Sequence, residues 1–358
     1  MSGVQANLLI RNIKHKIMKL RIFLLLMALC PFLMAQNPIN QLNSKGKKQG
    51  YWKKYDDKNV LLYEGTFAND VPVGEFKYYY PNGKLKSTTN FIQGVHKVHT
   101  VMYDEQGKKA AEGNFIDQQK DSIWNYYNSA GTLIKTEGYN KGKKEGAWRT
   151  FSSQTGTLLE EDFYRGDKRN GTCRTFFADG KISTRIDYID GQMNGVSETY
   201  YPGEQIFIRG MYHNGLKIKT WDTYDANGKI RKSQEFNNSR LQRTYLYLYA
   251  GNNSQKVNQD LIAYFHKEGT QTRIYTRNGK TFLSTETFET VISFLDFVDF
   301  CLINPSYAVA YPCIIKYRPL AEDTVEVVLS PATEEPVICQ GDQAKQIKML
   351  FNKEIPKE

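Results

Sequence analysis

The chain has 358 residues, 40% of them hydrophobic, 13% aromatic and 24% charged, with a formal net charge of +10. The basic excess is mild and interspersed with acids, which excludes a nucleic-acid binder built on a basic stripe. Five cysteines with no Cys-x-x-Cys spacing exclude a metal or redox centre of that kind.

Residues 1–35 hold Arg11, Lys14, Lys16, Lys19 and Arg21 and no acid, followed by an apolar run from Ile22 to Met34 and then Ala35. A basic flank, a short apolar core and a small residue before a polar exit describe a secretory signal peptide. The run falls short of a comfortable membrane span of about 20 residues. Met18-Lys19-Leu20-Arg21 would itself be a compact basic start. The expectation is an exported protein, periplasmic, outer-membrane-associated or secreted, cleaved after Ala35. Cleavage removes five positive charges and leaves about +5. Residues 36–48 then read as a linker.

From 49 to 239 one unit of 24 residues is written eight times. One aromatic column reads Tyr55, Tyr79, Tyr103, Tyr127, Phe151, Phe176, Tyr200, Tyr224. A second reads Phe67, Phe91, Phe115, Tyr139, Phe163, Tyr188, Tyr212, Phe236. A fixed period of this length marks a repeat architecture. Between the columns lie turn glycines, among them Gly83, Gly107, Gly131, Gly156, Gly180 and Gly228, with Lys58-Asn59 in the first unit and Pro202-Gly203 in the seventh. Asn-Gly and Asp-Gly between β-prone runs are hairpin signals. A third column reads Trp52, Phe76, Thr100, Trp124, Trp148, Cys173, Ser197, Trp221. The fold expected is mainly β: an elongated array of about eight β-hairpin repeats, quasi-one-dimensional. The two aromatic columns are expected to be its core, each ring stacking on the ring 24 residues away, rather than a ligand-stacking platform.

The units "GAWRTFSSQTGTLLEEDFYRGDK" and "GEFKYYYPNGKLKSTTNFIQG" resemble the MORN-repeat family, in its bacterial variant with units near 24 residues. The resemblance covers about residues 49–239. It implies a hairpin array defined by core and turn positions, with no catalytic motif. Bacterial proteins with this variant are commonly described as antitoxin-like, which for an exported chain implies an immunity-type role. Eukaryotic relatives imply lipid-headgroup binding, and anionic lipid is a partner the charge permits.

Residues 240–358 lose the period and read as a small α+β domain of unrecognised family. "RTYLYLY" alternates as a half-buried strand. "TRIYTRNGKTFLST" is a hairpin at Asn278-Gly279, and Phe288, Val291, Ile292, Leu295, Val298 and Leu302 give a helix over Glu286–Leu302. Strands near Val309–Tyr317 and Thr324–Leu329 and a helix around Gln343–Phe351 complete it. Cys301, Cys313 and Cys339 could supply one disulfide with one thiol left over.

No nucleophile elbow, phosphate loop, dinucleotide fingerprint or His-Glu-x-x-His is present. His96 and His99 sit at i, i+3 on a strand, where their side chains leave opposite faces. The recurring acids Glu64, Glu112, Glu137, Glu160 and Glu161 suit cross-strand ion pairs. The reading is a non-enzymatic scaffold with no catalytic, cofactor or metal residues, no nucleic-acid partner and no small-molecule substrate. It binds a protein partner through outward positions that vary between units: Lys77, Arg149, Arg174 and Glu198.

Overall fold

The computed structural model describes residues 16, 18, 38–92 and 96–352. The signal-peptide reading of 1–35 therefore lies outside the described residues, Lys16 and Met18 apart. The chain divides into two compact units, 1–107 and 108–358.

Both units are built from antiparallel hairpins. In the first, strands Lys48–Tyr55, Leu61–Ala68, Val71–Tyr79, Leu85–Phe91 and Lys97–Tyr103 pair in sequence order. In the second, the same meander runs from Lys109–Ile116 to Asn253–Asn258. The turn signals act as expected: Asn59 (φ 63°) and Gly83 (φ 80°) take the left-handed conformation that closes a tight turn. In the seventh repeat this role falls to Glu204 (φ 68°) and not to Gly203.

One turn is longer than the rest. Gly131 N–H bonds the carbonyl three residues back at Asn128, whereas Gly156 N–H bonds four back, at Ser152. The extra residue of the 25-residue step sits here. The structural successor of Tyr139 is consequently Tyr164 and not Phe163: Trp148 packs on Tyr139 at 5.3 Å and on Tyr164 at 5.4 Å.

The spine of the array is the third column and not the two aromatic columns. The third column is buried deepest, with Trp124 at 0% and Phe76 at 2% exposure and Thr100, Cys173, Ser197 and Trp221 also buried. Rings of the second column pack on it, Phe67–Phe76 and Phe76–Phe91 at 5.1 Å, Phe115–Trp124 at 4.8 Å and Tyr212–Trp221 at 4.9 Å. Among the described residues, rings do not stack on their counterparts 24 residues away. Those counterparts are two strands apart, about 9.5 Å, beyond the reach of ring stacking. The first column is only half-buried, except the exposed Tyr55.

Three large residues of the third column, Phe76, Trp124 and Trp221, sit over glycines 11 residues earlier. A Cβ on Gly65 would lie 2.5 Å from the Phe76 ring, one on Gly113 2.3 Å from Trp124, and one on Gly210 2.1 Å from Trp221. Where the ring is missing the seat is filled instead: Thr89 bonds Thr100 at 2.9 Å, and Ile186 faces Ser197 across the ladder. The open end of the ring stack is capped by cations. Lys48 lies 5.0 Å over Trp52, and in the second unit Lys120, Lys144 and Lys217 lie 4.2–4.8 Å over Trp124, Trp148 and Trp221.

The ladder continues past residue 239. Strand Arg240–Ala250 pairs with Ile230–Asn237 and with Asn253–Asn258. It carries Leu246 and Leu248 into the core of the C-terminal region, where they join Ile262, Phe265, Phe288, Val309 and Val325. That region holds a five-stranded sheet, a three-stranded sheet of Ile314–Ala321, Thr324–Leu329 and Val337–Gln340, and helix Gly341–Asn352. The expected helix over Glu286–Leu302 shrinks to Phe288–Ile292. Phe300–Asn304 instead forms a strand paired with Tyr307–Ala310, which buries Phe300 and Ile303. Tertiary pairing here overrides the helical period. The strand expected over Val309–Tyr317 is broken by a turn at Tyr311–Cys313 containing Pro312. Cys173, Cys301, Cys313 and Cys339 are free thiols. Burial pushes Cys301 up to about 12 and Cys173 up to about 11.

Candidate functional site

Because side chains alternate across a strand, the buried third column and its neighbours one residue away occupy opposite faces. The face opposite the ring stack is charged, and antiparallel register aligns its charges into lines. In the first unit Lys53, Glu64, Lys77 and Thr88 are successive cross-strand partners. Glu64 lies 3.2 Å from Lys53 and accepts a 2.5 Å hydrogen bond from the Tyr79 hydroxyl. Burial alone would raise the Glu64 pKa. Hydrogen bonds from Tyr79, Tyr51 and Lys53 outweigh it and hold the carboxyl below its usual range. Tyr51 is pushed up to about 12, by burial first and by Glu64 second.

In the second unit the line runs Glu112, Asn125, Thr136, Arg149, Glu161, Arg174, Arg185, Glu198, Arg209, Asp222, Ser233. Its centre is two triads. Glu161 is held by Arg149 at 2.9 Å and Arg174 at 3.1 Å, and Glu198 by Arg185 and Arg209, both at 3.3 Å. Arg174 and Arg185 stand directly opposite one another as cross-strand partners. Asp187 lies 3.9 Å from Arg185, and Asp222 faces Arg209 while taking a hydrogen bond from Ser233. Beside the line, two residues further along the same strands, lie Phe151, Phe176, Tyr200 and Tyr224, all half-buried. Two hydroxyls of this column in the second unit serve carboxylates: Tyr127 to Glu112 at 2.5 Å and Tyr200 to Glu198 at 2.7 Å. Tyr200 is pushed up to about 12, by burial first and by Glu198 second.

All four positions picked from the sequence therefore lie on these lines, Lys77 in the first unit and Arg149, Arg174 and Glu198 in the second. Three of them face outward. Glu198 does not: it is 5% exposed, covered by Tyr200, Arg185 and Arg209. It orients arginines and does not meet solvent. Arg185 and Arg209 were not visible as members, although each follows a line residue by 11 positions, the offset that also separates ring and seat. Glu137 belongs to the other face, where Tyr126 and Tyr139 donate to it at 2.6 and 2.8 Å and Lys135 pairs at 2.6 Å. Burial would raise its pKa, and Lys135, Tyr126 and Tyr139 together hold it below the usual carboxylate range. Among the described residues no group of three His, Cys, Asp or Glu side chains is placed to hold a metal ion.

The MORN repeat variant model matches residues 72–93. That segment, strand Val71–Tyr79 through Leu85–Phe91, is one hairpin of the first unit and is similar to a MORN repeat variant. The search of curated proteins found no match. Among solved structures, the chain is similar to the LytTr DNA-binding domain of a response regulator from Bacillus cereus, at 15% identity and TM-score 0.26, over 30% of this chain and 96% of that one. TarM matches at 20% identity and TM-score 0.17, over 32% of this chain and 19% of TarM. The Photorhabdus luminescens Tc holotoxin pore matches at 11% identity and TM-score 0.16, over 78% of this chain and 16% of the toxin chain. TM-scores this low carry no information about fold or function here. The class the geometry defines is a hairpin-repeat scaffold.

Proposed function

We propose that the protein is an exported, non-catalytic scaffold that binds a protein partner through the charged face of its hairpin repeats. The observation that carries this reading is the in-register line of charge opposite the ring stack. A sheet face needs no such line for its own core, which lies on the other side. Export rests on the basic-then-apolar order of residues 11–35. The arginines are suited to a protein surface because a planar guanidinium still has free N–H groups after one carboxylate is satisfied.

The test is affinity purification from the native envelope with the full chain as bait. A second bait carries Lys77→Glu, Arg149→Glu, Arg174→Glu and Arg209→Glu, with folding checked by circular dichroism. The reading expects the folded variant to lose at least one protein that the parent retains. An unchanged set of captured proteins sinks it.

A further inference from the structure

Resting on that reading, we propose that the centre of the line, Arg149 to Arg209, receives an acidic protein segment whose carboxylates dock on Arg174 and Arg185. Four arginines share Glu161 and Glu198. The two kinds of group are not equally presented. The arginine side chains are 35–55% exposed, whereas Glu161 is 14% and Glu198 6% exposed. What a partner meets is guanidinium, held in place from beneath by carboxylates.

At the middle, Arg174 and Arg185 are cross-strand neighbours, about 5 Å apart, and like charges so placed are unfavourable on their own. Each is anchored on its far side, Arg174 by Glu161 and Arg185 by Glu198. Among the described residues, each guanidinium keeps N–H groups beyond the one that its glutamate accepts. A carboxylate entering there meets two pre-oriented forks, the geometry that favours arginine over lysine. Asp187, at 3.9 Å, is the nearest competitor and reaches only Arg185.

The six strands from Arg149 to Arg209 span about 24 Å, long enough for an extended segment. Phe151, Phe176 and Tyr200 run alongside and offer apolar contact to residues between the acids. A continuous polyanion fits less well. A lipid surface or nucleic acid would lay negative charge over Glu161, Glu198 and Asp222 as well as over the arginines.

The test uses the full chain and a fluorescein-labelled synthetic peptide alternating Glu with Tyr, read by fluorescence anisotropy. Binding should be saturable and weakened at least tenfold by Arg174→Gln with Arg185→Gln. Arg174→Lys with Arg185→Lys keeps the charge, removes the fork, and should still weaken binding severalfold. Lys143→Gln with Lys168→Gln removes the same charge from exposed positions at the starts of two short strands away from the line and should leave binding unchanged. Absence of peptide binding overturns the proposal, as does equal weakening in the Lys143/Lys168 variant. Binding to phosphatidylserine vesicles or inorganic phosphate that exceeds peptide binding and is lost in the same arginine variant overturns it too. If native partners are captured by the parent and lost by the charge-reversed bait while the peptide does not bind, the acidic-segment assignment fails alone. The protein-binding reading then stands.

Discussion

Gly113 is the seat of Trp124. A Cβ at 113 would lie 2.3 Å from the indole, and Trp124 is fully buried with its Nε1–H donating to the Asn114 carbonyl at 2.9 Å. Overpacking of this kind costs typically 1–3 kcal/mol. Gly113→Ala should therefore destabilise the second unit by about that much in urea unfolding. Trp124→Ala, which empties the seat, should cost about 3–5 kcal/mol. A neutral Gly113→Ala would mean that the ring is not pressed on the backbone as described.

The period, the turn residues and the terminal helix were open to reading because each rests on local chemistry that recurs. The spine was not. Its column holds Trp, Phe, Thr, Cys and Ser, so it looks less regular than the half-buried Tyr and Phe columns beside it. Part of its order lies in pairs 11 residues apart, large over small, as in Gly65 with Phe76, Gly113 with Trp124 and Gly210 with Trp221. Single-column reading misses such complementarity. The slip from Tyr164 to Phe163 has a similar origin, since two adjacent aromatics hide a one-residue insertion in the turn upstream. The charged line was half legible: Arg149 and Arg174 stood out by polarity, while the burial of Glu198 depends on neighbours supplied by other strands.

Lys219 occupies a left-handed bulge (φ 57°) two residues before Trp221. Gly146, Gly171 and Gly195 fill the equivalent position in other repeats with φ of 73°, 117° and 117°. A non-glycine residue there carries a strain of about 1–2 kcal/mol, partly offset by the greater freedom glycine has when unfolded. Lys219→Gly should raise stability by up to about 1 kcal/mol. A thermal shift of a few degrees upward is the expected reading, and a downward shift would contradict it.

Glu137 links its buried site to acid stability. Its folded pKa is depressed, so its contribution is complete above the unfolded carboxylate value of about 4.3 and is lost as pH falls through the lower folded value. Glu137→Gln should cost about 1–3 kcal/mol at neutral pH, through weaker bonds to Tyr126, Tyr139 and Lys135. The gap between parent and variant should be flat above about pH 5 and should narrow below about pH 4. A pH-independent gap across that window would show that ionisation is not what matters there.

Arg231 lies at 3% exposure, 2.7 Å from Glu286, between the rings of Tyr249 and Phe294 at 5.1 Å each. It joins the last repeat strands to the C-terminal core. Removing one partner of a buried pair leaves an uncompensated charge, costing about 3–5 kcal/mol. Arg231→Met should show that loss, and adding Glu286→Leu should recover much of it. A double variant no better than the single would place the value of Arg231 in its ring contacts.

The central claim is that the charged face, and not the C-terminal region, is where a partner sits. Hydrogen exchange of the full chain, with and without a captured partner, tests it most directly. The account predicts new protection in the six strands Gly146–Phe151, Leu158–Arg165, Gly171–Phe176, Ile182–Ile189, Gln192–Tyr200 and Ile206–His213. Protection confined to residues 262–352, with those strands unchanged, would contradict it.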